Sequence, residues 1–240
     1  MSPGLALWPE LERTISRNPA SRWRLGPQPS RDVLAFSVGM ILEINAKNPE
    51  PRKVQKAVDA LRSGEIIAYP TDTVYGMGCD LFNKKALDRL YQLKGLPRSR
   101  LLSFMCRDLA DVSKYAMLHD SVFRLIKRHL PGPFCFILNA THEVPRIVQS
   151  ARKTVGIRVP AHPVTQALLE QLGHPIVNTT ASRPNQEPLL DPAEVDDEFA
   201  GLALVLDAGP GGTVPSSVVD LTGEEATVVR EGAGNVQLFR

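Results

Sequence analysis

The sequence predicts an α/β fold: one domain built on a mixed, twisted open sheet with helices on its faces. Two observations carry that expectation. From Met40 onward, short apolar runs of strand length alternate with segments whose apolar residues recur at helical spacing. No internal repeat and no strong linker divides residues 40–240, and 43% hydrophobic content over 240 residues suits a chain that buries a sizeable core.

Residues 1–39 stand apart as an N-terminal extension. They hold both tryptophans, Trp8 and Trp23, several prolines, and no sustained period of 3.6 or 2. Met40 opens a regular Met-Ile-Leu-Glu-Ile strand, which fits two expectations: that translation starts there, or that the extension is a flexible leader. The five arginines of the extension resemble a weak transit composition, which Glu10, Glu12 and Asp32 oppose. The domain proper, 40–240, then reads in order. Val54, Ala57, Val58 and Leu61 share one face of a helix over 53–62, stopped by Ser63-Gly64. Glu65–Tyr69 is a short buried strand that Pro70 ends. Asn83 caps a helix through Leu93, Leu101–Cys106 is a strand, and 108–116 and 121–130 are helices that Pro131-Gly132-Pro133 terminates. Strands follow at 134–138 and 155–159, a helix at 163–172, and strands at 175–180, 203–207, 216–221 and 227–231.

Composition excludes several classes. The longest apolar stretches fall short of the roughly 18 residues a membrane helix needs, and no signal peptide is legible, so the expected location is cytoplasmic, with no membrane partner. Cys79, Cys106 and Cys135 are odd in number and lack C-x-x-C spacing, which argues against a disulfide framework and a structural zinc site; no metal site is expected. Net charge is only +2, but it is unevenly spread. Residues 84–158 carry fifteen basic and five acidic side chains, whereas 159–240 carry three and twelve. Either the two regions neutralise each other or the basic one gathers phosphates.

The run Pro70-Thr-Asp-Thr-Val-Tyr-Gly-Met-Gly-Cys-Asp80 places hydroxyls, a carboxylate and two glycines directly after a strand. Two readings fit it. It delivers groups to a ligand, with Gly76 and Gly78 allowing close backbone approach or positive φ, or it is a strand-to-helix turn whose Thr71 and Thr73 cap backbone groups. Other candidate segments close predicted strands: Lys94-Gly-Leu-Pro97, Pro131-Gly-Pro133, Arg158-Val-Pro-Ala-His162, Thr179-Thr-Ala-Ser182, Ser216-Ser217 and Arg230-Glu-Gly232. Lys94 and Arg158 singly read as surface charges and His162 as a capping residue, but two hydroxyl clusters at strand ends suit phosphate and carboxylate oxygens. No Walker loop, dinucleotide fingerprint, nucleophile elbow or metal-ligand cluster is present.

Taken together, PTDTVYGMGCD (70–80), KGLP (94–97), LPGPF (130–134), VGIRVPAHP (155–163), PIVNTTAS (175–182), SSVVDLT (216–222) and VVREGAG (228–234) resemble the YrdC/TsaC threonylcarbamoyl-AMP synthase family. The resemblance spans nearly all of residues 40–240 and implies a single YrdC-like domain around a positively charged cavity. It implies ATP, L-threonine and bicarbonate as substrates, Mg2+ arriving with the nucleotide, no permanently bound cofactor, and an intermediate for N6-threonylcarbamoyladenosine in tRNA as product. RNA or tRNA is an implied partner. The chain ends soon after the last motif, so the additional C-terminal domain of the longer members has no expected counterpart. Carried over, Thr71 and Thr73 would hold threonine. Lys94, Thr180, Ser182, Ser217 and Arg230 would hold the nucleotide and its phosphates, with Arg98, Arg100, Cys135, Arg158 and His162 lining the cavity.

Three positions depart from the pattern. The K-x-R-P of typical synthases is Lys94-Gly95-Leu96-Pro97, their S-x-N is Thr180-Ala181-Ser182, and the threonine of their P-G-P-[LF]-T is Cys135. With Ser103-Phe-Met-Cys-Arg-Asp-Leu109, these make the chain resemble the YciO-like branch. Loss of one guanidinium from a phosphate clamp costs about 2 to 4 kcal/mol of transition-state stabilisation, which Arg98 or Arg100 is placed in sequence to restore. The alternatives are a non-catalytic protein binding double-stranded or structured RNA, and a related nucleotidyltransferase with another substrate.

Overall fold

The computed structural model describes residues 39–149 and 152–239, so nearly all of the N-terminal extension lies outside the described residues. Ten strands form one sheet in the order β1-β8-β2-β3-β7-β4-β6-β5-β9-β10. They are β1 (Met40–Glu43), β2 (Ile67–Tyr69), β3 (Gly76–Asp80), β4 (Ser103–Met105), β5 (Phe134–Asn139), β6 (Thr154–Arg158), β7 (Ile176–Thr180), β8 (Leu204–Asp207), β9 (Ser217–Asp220) and β10 (Thr227–Arg230). Parallel pairs (β1 with β8, β2 with β8, β4 with β6, β5 with β9) mix with antiparallel ones (β2 with β3, β3 with β7, β4 with β7, β5 with β6, β9 with β10). The helices are α1 (Pro51–Arg62), α2 (Lys84–Lys94), α3 (Leu109–Tyr115), α4 (Asp120–Lys127), α5 (Pro163–Leu172) and α6 (Pro192–Glu198). No helix of the described residues is long and apolar enough to cross a membrane.

Two strands' worth of alternation explains the layering. Ile67 and Tyr69 point to one face, where α1 (Val54, Ala57, Val58, Leu61) and α5 (Val164, Leu168, Leu169, Leu172) cover them. Ile66 and Ala68 point to the other, larger core, which α2, α3 and the carboxyl-terminal Val236 and Phe239 complete. Because side chains alternate with period 2, a strand covered on both faces, as β2 is, feeds both cores. The α1–α5 core reaches β4 through Met105 but includes no residue of β6, β5, β9 or β10. On that half of the face the ladder partners Asn178, Ser103, Gly156 and Ile137 form a row, with Arg158 one pleat away.

Two expectations are corrected here. The run Pro70–Asp80 is not one loop: only its first part is, and Gly76–Asp80 is strand β3, paired to both β2 and β7. A Gly-Met-Gly-Cys strand lacks the β-branched signature that pattern reading relies on. Helix α6 also went unread, because Pro192 begins it and its acidic Glu194-Val195-Asp196-Asp197-Glu198 carries a single buried apolar side chain, Val195.

Candidate functional site

Gly76 and Gly78 serve a side chain rather than a positive φ, which neither adopts. A β-carbon on Gly78 would lie 2.5 Å from the Val177 carbonyl and 3.0 Å from the Tyr69 hydroxyl, and one on Gly76 would lie 2.5 Å from Asn178 Oδ1. The two glycines open a gap in the sheet face that the fully buried Tyr69 ring fills. Through that gap the Tyr69 hydroxyl donates to Asn178 Oδ1 at 2.7 Å. Burial raises the Tyr69 pKa, against the nearby Arg158 charge, so the phenol stays a donor. Sequence reasoning missed both residues. A lone asparagine inside an otherwise apolar strand, Ile176-Val-Asn-Thr-Thr180, was the available signal.

Between β2 and β3 the chain turns through Pro70–Tyr75. The Thr165 hydroxyl of α5 donates to the Pro70 carbonyl, fastening the start of the loop. Thr71 Oγ1 donates to the Val74 carbonyl at 2.6 Å, accepts the Thr73 N–H at 3.1 Å and lies 3.2 Å from Thr73 Oγ1. The capping and ligand-loop readings of these hydroxyls are therefore compatible: both threonines are buried, and Thr71 caps the turn while facing Arg158. From above, Gly212 packs against the Thr73 carbonyl so tightly that any β-carbon there would overlap it.

Arg158, at the end of β6, is the charged centre of this arrangement. Its side chain is about 5% exposed, and Nη2 donates to Asp72 Oδ1 at 2.5 Å and approaches Thr71 Oγ1 at 3.4 Å, across 87 residues of sequence. Asp72, also missed as a site residue, was visible in the motif but carried no assignment. Asp72 Oδ2 and Arg158 Nε are buried with no hydrogen-bond partner. His162 caps α5 by accepting the Val164 N–H on Nδ1 at 3.3 Å. Burial lowers its pKa, and the Asp72 charge opposes the shift. Cys135 lies on the same face; its Sγ sits 3.2 Å from where a β-carbon of Gly156 would be. Burial pushes its thiol up to about 11 even though Arg230 and Arg158 pull it down, so at neutral pH it is a thiol, not a thiolate.

The remaining predicted residues divide. Arg230 donates through Nε and Nη2 to the Ser216 carbonyl at 3.2 and 2.7 Å. Desolvation lowers its pKa; Cys135 opposes that shift, while Arg100 and Arg158 add to it, so three guanidinium groups sense one another in this region. Ser217 is fully buried: its Oγ donates to the Gly234 carbonyl at 2.7 Å and accepts the Gly232 N–H at 2.9 Å. Lys94, the last residue of α2, is buried, donates to the Thr180 carbonyl at 2.6 Å and to the Ser182 carbonyl, and lies 5.2 Å over the Phe199 ring. Burial, with a smaller contribution from Arg183, lowers its pKa to about 8. Leu96 packs against the larger core. Arg98 is drawn away: it pairs with Asp88 and stacks 4.4 Å over Tyr91. Among the described residues no group of three or more His, Cys, Asp or Glu is placed to hold a metal ion.

The fold has counterparts among known proteins. Residues 59–232 match the Sua5/YciO/YrdC family, which is described as telomere recombination. The YciO protein of Escherichia coli is 41% identical over 199 residues, 82% of this chain and 97% of its own length. Its crystal structure superposes with a TM-score of 0.81 over 84% of this chain and all of that one. A threonylcarbamoyl-AMP synthase of Halorhodospira halophila is 35% identical over 79% of this chain and 95% of its own. The crystal structure of P. abyssi Sua5 complexed with L-threonine gives a TM-score of 0.75 at 28% identity, over 80% of this chain and 57% of that one. With the family matched across most of its length and the fold shared, this chain belongs to the Sua5/YciO/YrdC family.

Proposed function

We propose that this protein is a nucleotidyltransferase of the threonylcarbamoyl-AMP synthase type, condensing ATP, L-threonine and bicarbonate to threonylcarbamoyl-AMP and pyrophosphate. The observation that carries the reading is the buried pair of hydroxyls on Thr71 and Thr73, with Thr71 beside the Arg158 guanidinium at a strand end. It is supported by synthase relatives at about a third identity and by a Sua5 structure holding L-threonine.

In the reaction, the threonine amine and bicarbonate form a carbamate with loss of water. A carbamate oxygen attacks the α-phosphorus of ATP in line, and the bond to the bridging oxygen breaks to release pyrophosphate. The protein's task is to position and to place cations. Thr71 and Thr73 hold the amino acid. Lys94, a point charge fixed on two carbonyls, faces the phosphates, and Arg230 with Thr180 and Ser182 borders the nucleotide. Ser217 acts by holding the Gly232–Gly234 backbone. Mg2+ would arrive on the nucleotide and neutralise pyrophosphate charge, since the described residues provide no metal cage of their own. With leucine at position 96 and Arg98 held by Asp88, catalysis runs more slowly than in synthases with two cations in the clamp. Incubation with ATP, threonine and bicarbonate is expected to release pyrophosphate only when all three are present. Release that does not depend on threonine overturns the reading.

A second reading, binding of structured RNA, is favoured by one observation. Glu231 aside, no ion pair among the described residues joins a basic residue of 84–158 to an acidic one of 159–240, so the charge asymmetry is not neutralised by direct pairing. Lys84, Lys85, Lys127, Arg128, Arg152 and Lys153 are exposed.

A further inference from the structure

Where α3 gives way to α4, a cavity of about 440 Å3 opens, a volume in the range of small-molecule sites. Its apolar lining includes Met117, Leu118 and Phe123, and its polar side chains are Ser113, Asp120 and Thr141. The walls are stapled to one another. Ala116 bridges to Ala140, the Met117 N–H donates to the Asn139 carbonyl at 2.8 Å, and the Thr141 N–H donates to the Tyr115 carbonyl at 3.0 Å. Asn139 ends β5, whereas Cys135 stands near its start, beside the end of β6 that carries Arg158. The cavity is therefore separate from the region assigned to the substrates.

What the cavity accepts follows from its polar groups. Ser113 Oγ donates its proton to the Leu109 carbonyl at 2.9 Å, and Thr141 Oγ1 donates to the Lys114 carbonyl at 2.5 Å. A hydroxyl whose proton is committed offers only lone pairs, and an ionised carboxylate is an acceptor alone, so all three polar side chains call for donors. Charge points the same way. Residues 84–158 contain five acids. Asp88, Asp108 and Asp111 pair with Arg98, Arg107 and Lys114, and Glu143 Oε1 lies 2.9 Å from His142 Nε2. Asp120 has no ion-pair partner among the described residues, and it is the acid that lines the cavity. An acid in the first turn steadies a helix N-terminus whether or not a ligand binds, but two hydroxyls with committed protons and an apolar wall do not follow from that role. We propose that this cavity is a binding site for a small arylalkylamine, its ammonium held by Asp120, Ser113 and Thr141 and its ring laid against Phe123 and the Met117 thioether. Met117 is 55% exposed and is left for such a ligand to cover. The site is independent of the synthase reading.

The test compares phenethylamine with 3-phenylpropionate, which share a phenyl ring and an ethylene chain and carry opposite charges. The full chain, labelled with carbon-13 at its five methionine methyls, is titrated with each and followed by nuclear magnetic resonance. Phenethylamine is expected to move the Met117 signal, identified by its loss in Met117→Leu, with a Kd of about 1 mM, and to bind at least about tenfold more tightly than the propionate. Asp120→Asn keeps the side-chain shape and removes the charge. It should bring the two probes within about threefold of each other. Melting by circular dichroism checks that this variant folds, and the wild-type comparison does not depend on it. The Met117 shift should also persist in the presence of saturating ATP and threonine. A Met117 signal unmoved by about 10 mM phenethylamine, equal binding of the two probes, full preference in a folded Asp120→Asn protein, or displacement of the amine by ATP and threonine each overturns the proposal. None of these results bears on threonine-dependent pyrophosphate release, which tests the synthase reading by itself.

Discussion

Lys94 shows how a single residue's role depends on its surroundings. In sequence it is one more lysine in a basic stretch. In the fold its ammonium is buried between two carbonyls and an aromatic ring, and burial holds its pKa near 8, below the ordinary lysine value. The sign of the pH effect follows. For binding, the charge is present below about 8 and lost above it, so ATP affinity should fall by about tenfold between pH 7 and 9.5 in equilibrium dialysis. Lys94→Arg, charged throughout, should flatten that profile; a wild-type profile that is already flat would remove Lys94 from the phosphate site. For stability the direction is reversed. The unfolded chain binds more protons than the fold between about 8 and the ordinary lysine value, so this residue's burial penalty is full below 8 and relieved as pH rises through that window.

Elements make sense only in pairs. Strand β3 is weak by propensity, yet its two glycines are what allow Tyr69 of β2 to lie across it and reach Asn178 of β7. A substitution there is felt by three strands. The last strands depend on a similar cross-connection, because the Ser217 hydroxyl of β9 both donates to Gly234 and accepts from Gly232, beyond β10. Ser217→Ala removes both bonds and leaves a carbonyl and an N–H without that partner. Urea denaturation should show a loss of about 2 kcal/mol, and hydrogen exchange at Gly232 should quicken. Unchanged exchange there would mean that the turn is held by its backbone contacts alone. Helix α2 illustrates the opposite case, an element legible end to end: Asn83 accepts the Ala86 N–H as its cap, and Gly95 closes it in the left-handed region at φ 63°.

At the scale of the whole molecule, the basic stretch 84–158 spans α2 to β6 and presents exposed lysines and arginines, among them Lys84, Lys85, Lys127 and Arg128. If these face RNA, affinity for a structured RNA should fall linearly with salt on logarithmic axes, and Lys84→Ala with Lys85→Ala should reduce the slope by about 2. Absence of binding at low salt would confine the positive charge to small anions. Most of the fold was legible because strand and helix periods differ and because Pro, Gly and Asn mark the ends: α1, α2 and α5 lie within two residues of where spacing places them. Strand β3 and helix α6 were not, since one has glycines where a strand pattern expects β-branched residues and the other buries too little apolar surface to show a period.

By itself the sequence determined the fold class, the order of its elements apart from β3 and α6, and the motif set that marks the family, because local period, turn residues and ordered motifs are properties of the chain read in one direction. It also presented the threonines of the first motif. Only the tertiary structure decided which charges meet. Arg158 closes on Asp72 across 86 residues, Lys94 is held by the Thr180 and Ser182 carbonyls at the end of β7, Arg98 turns to Asp88, and Ser217 fastens the carboxyl-terminal loop. Pairing of this kind depends on sheet order and register, which bring distant strand ends together. No local pattern encodes it, because a charged side chain reads the same in sequence whether its partner is water or a buried ion.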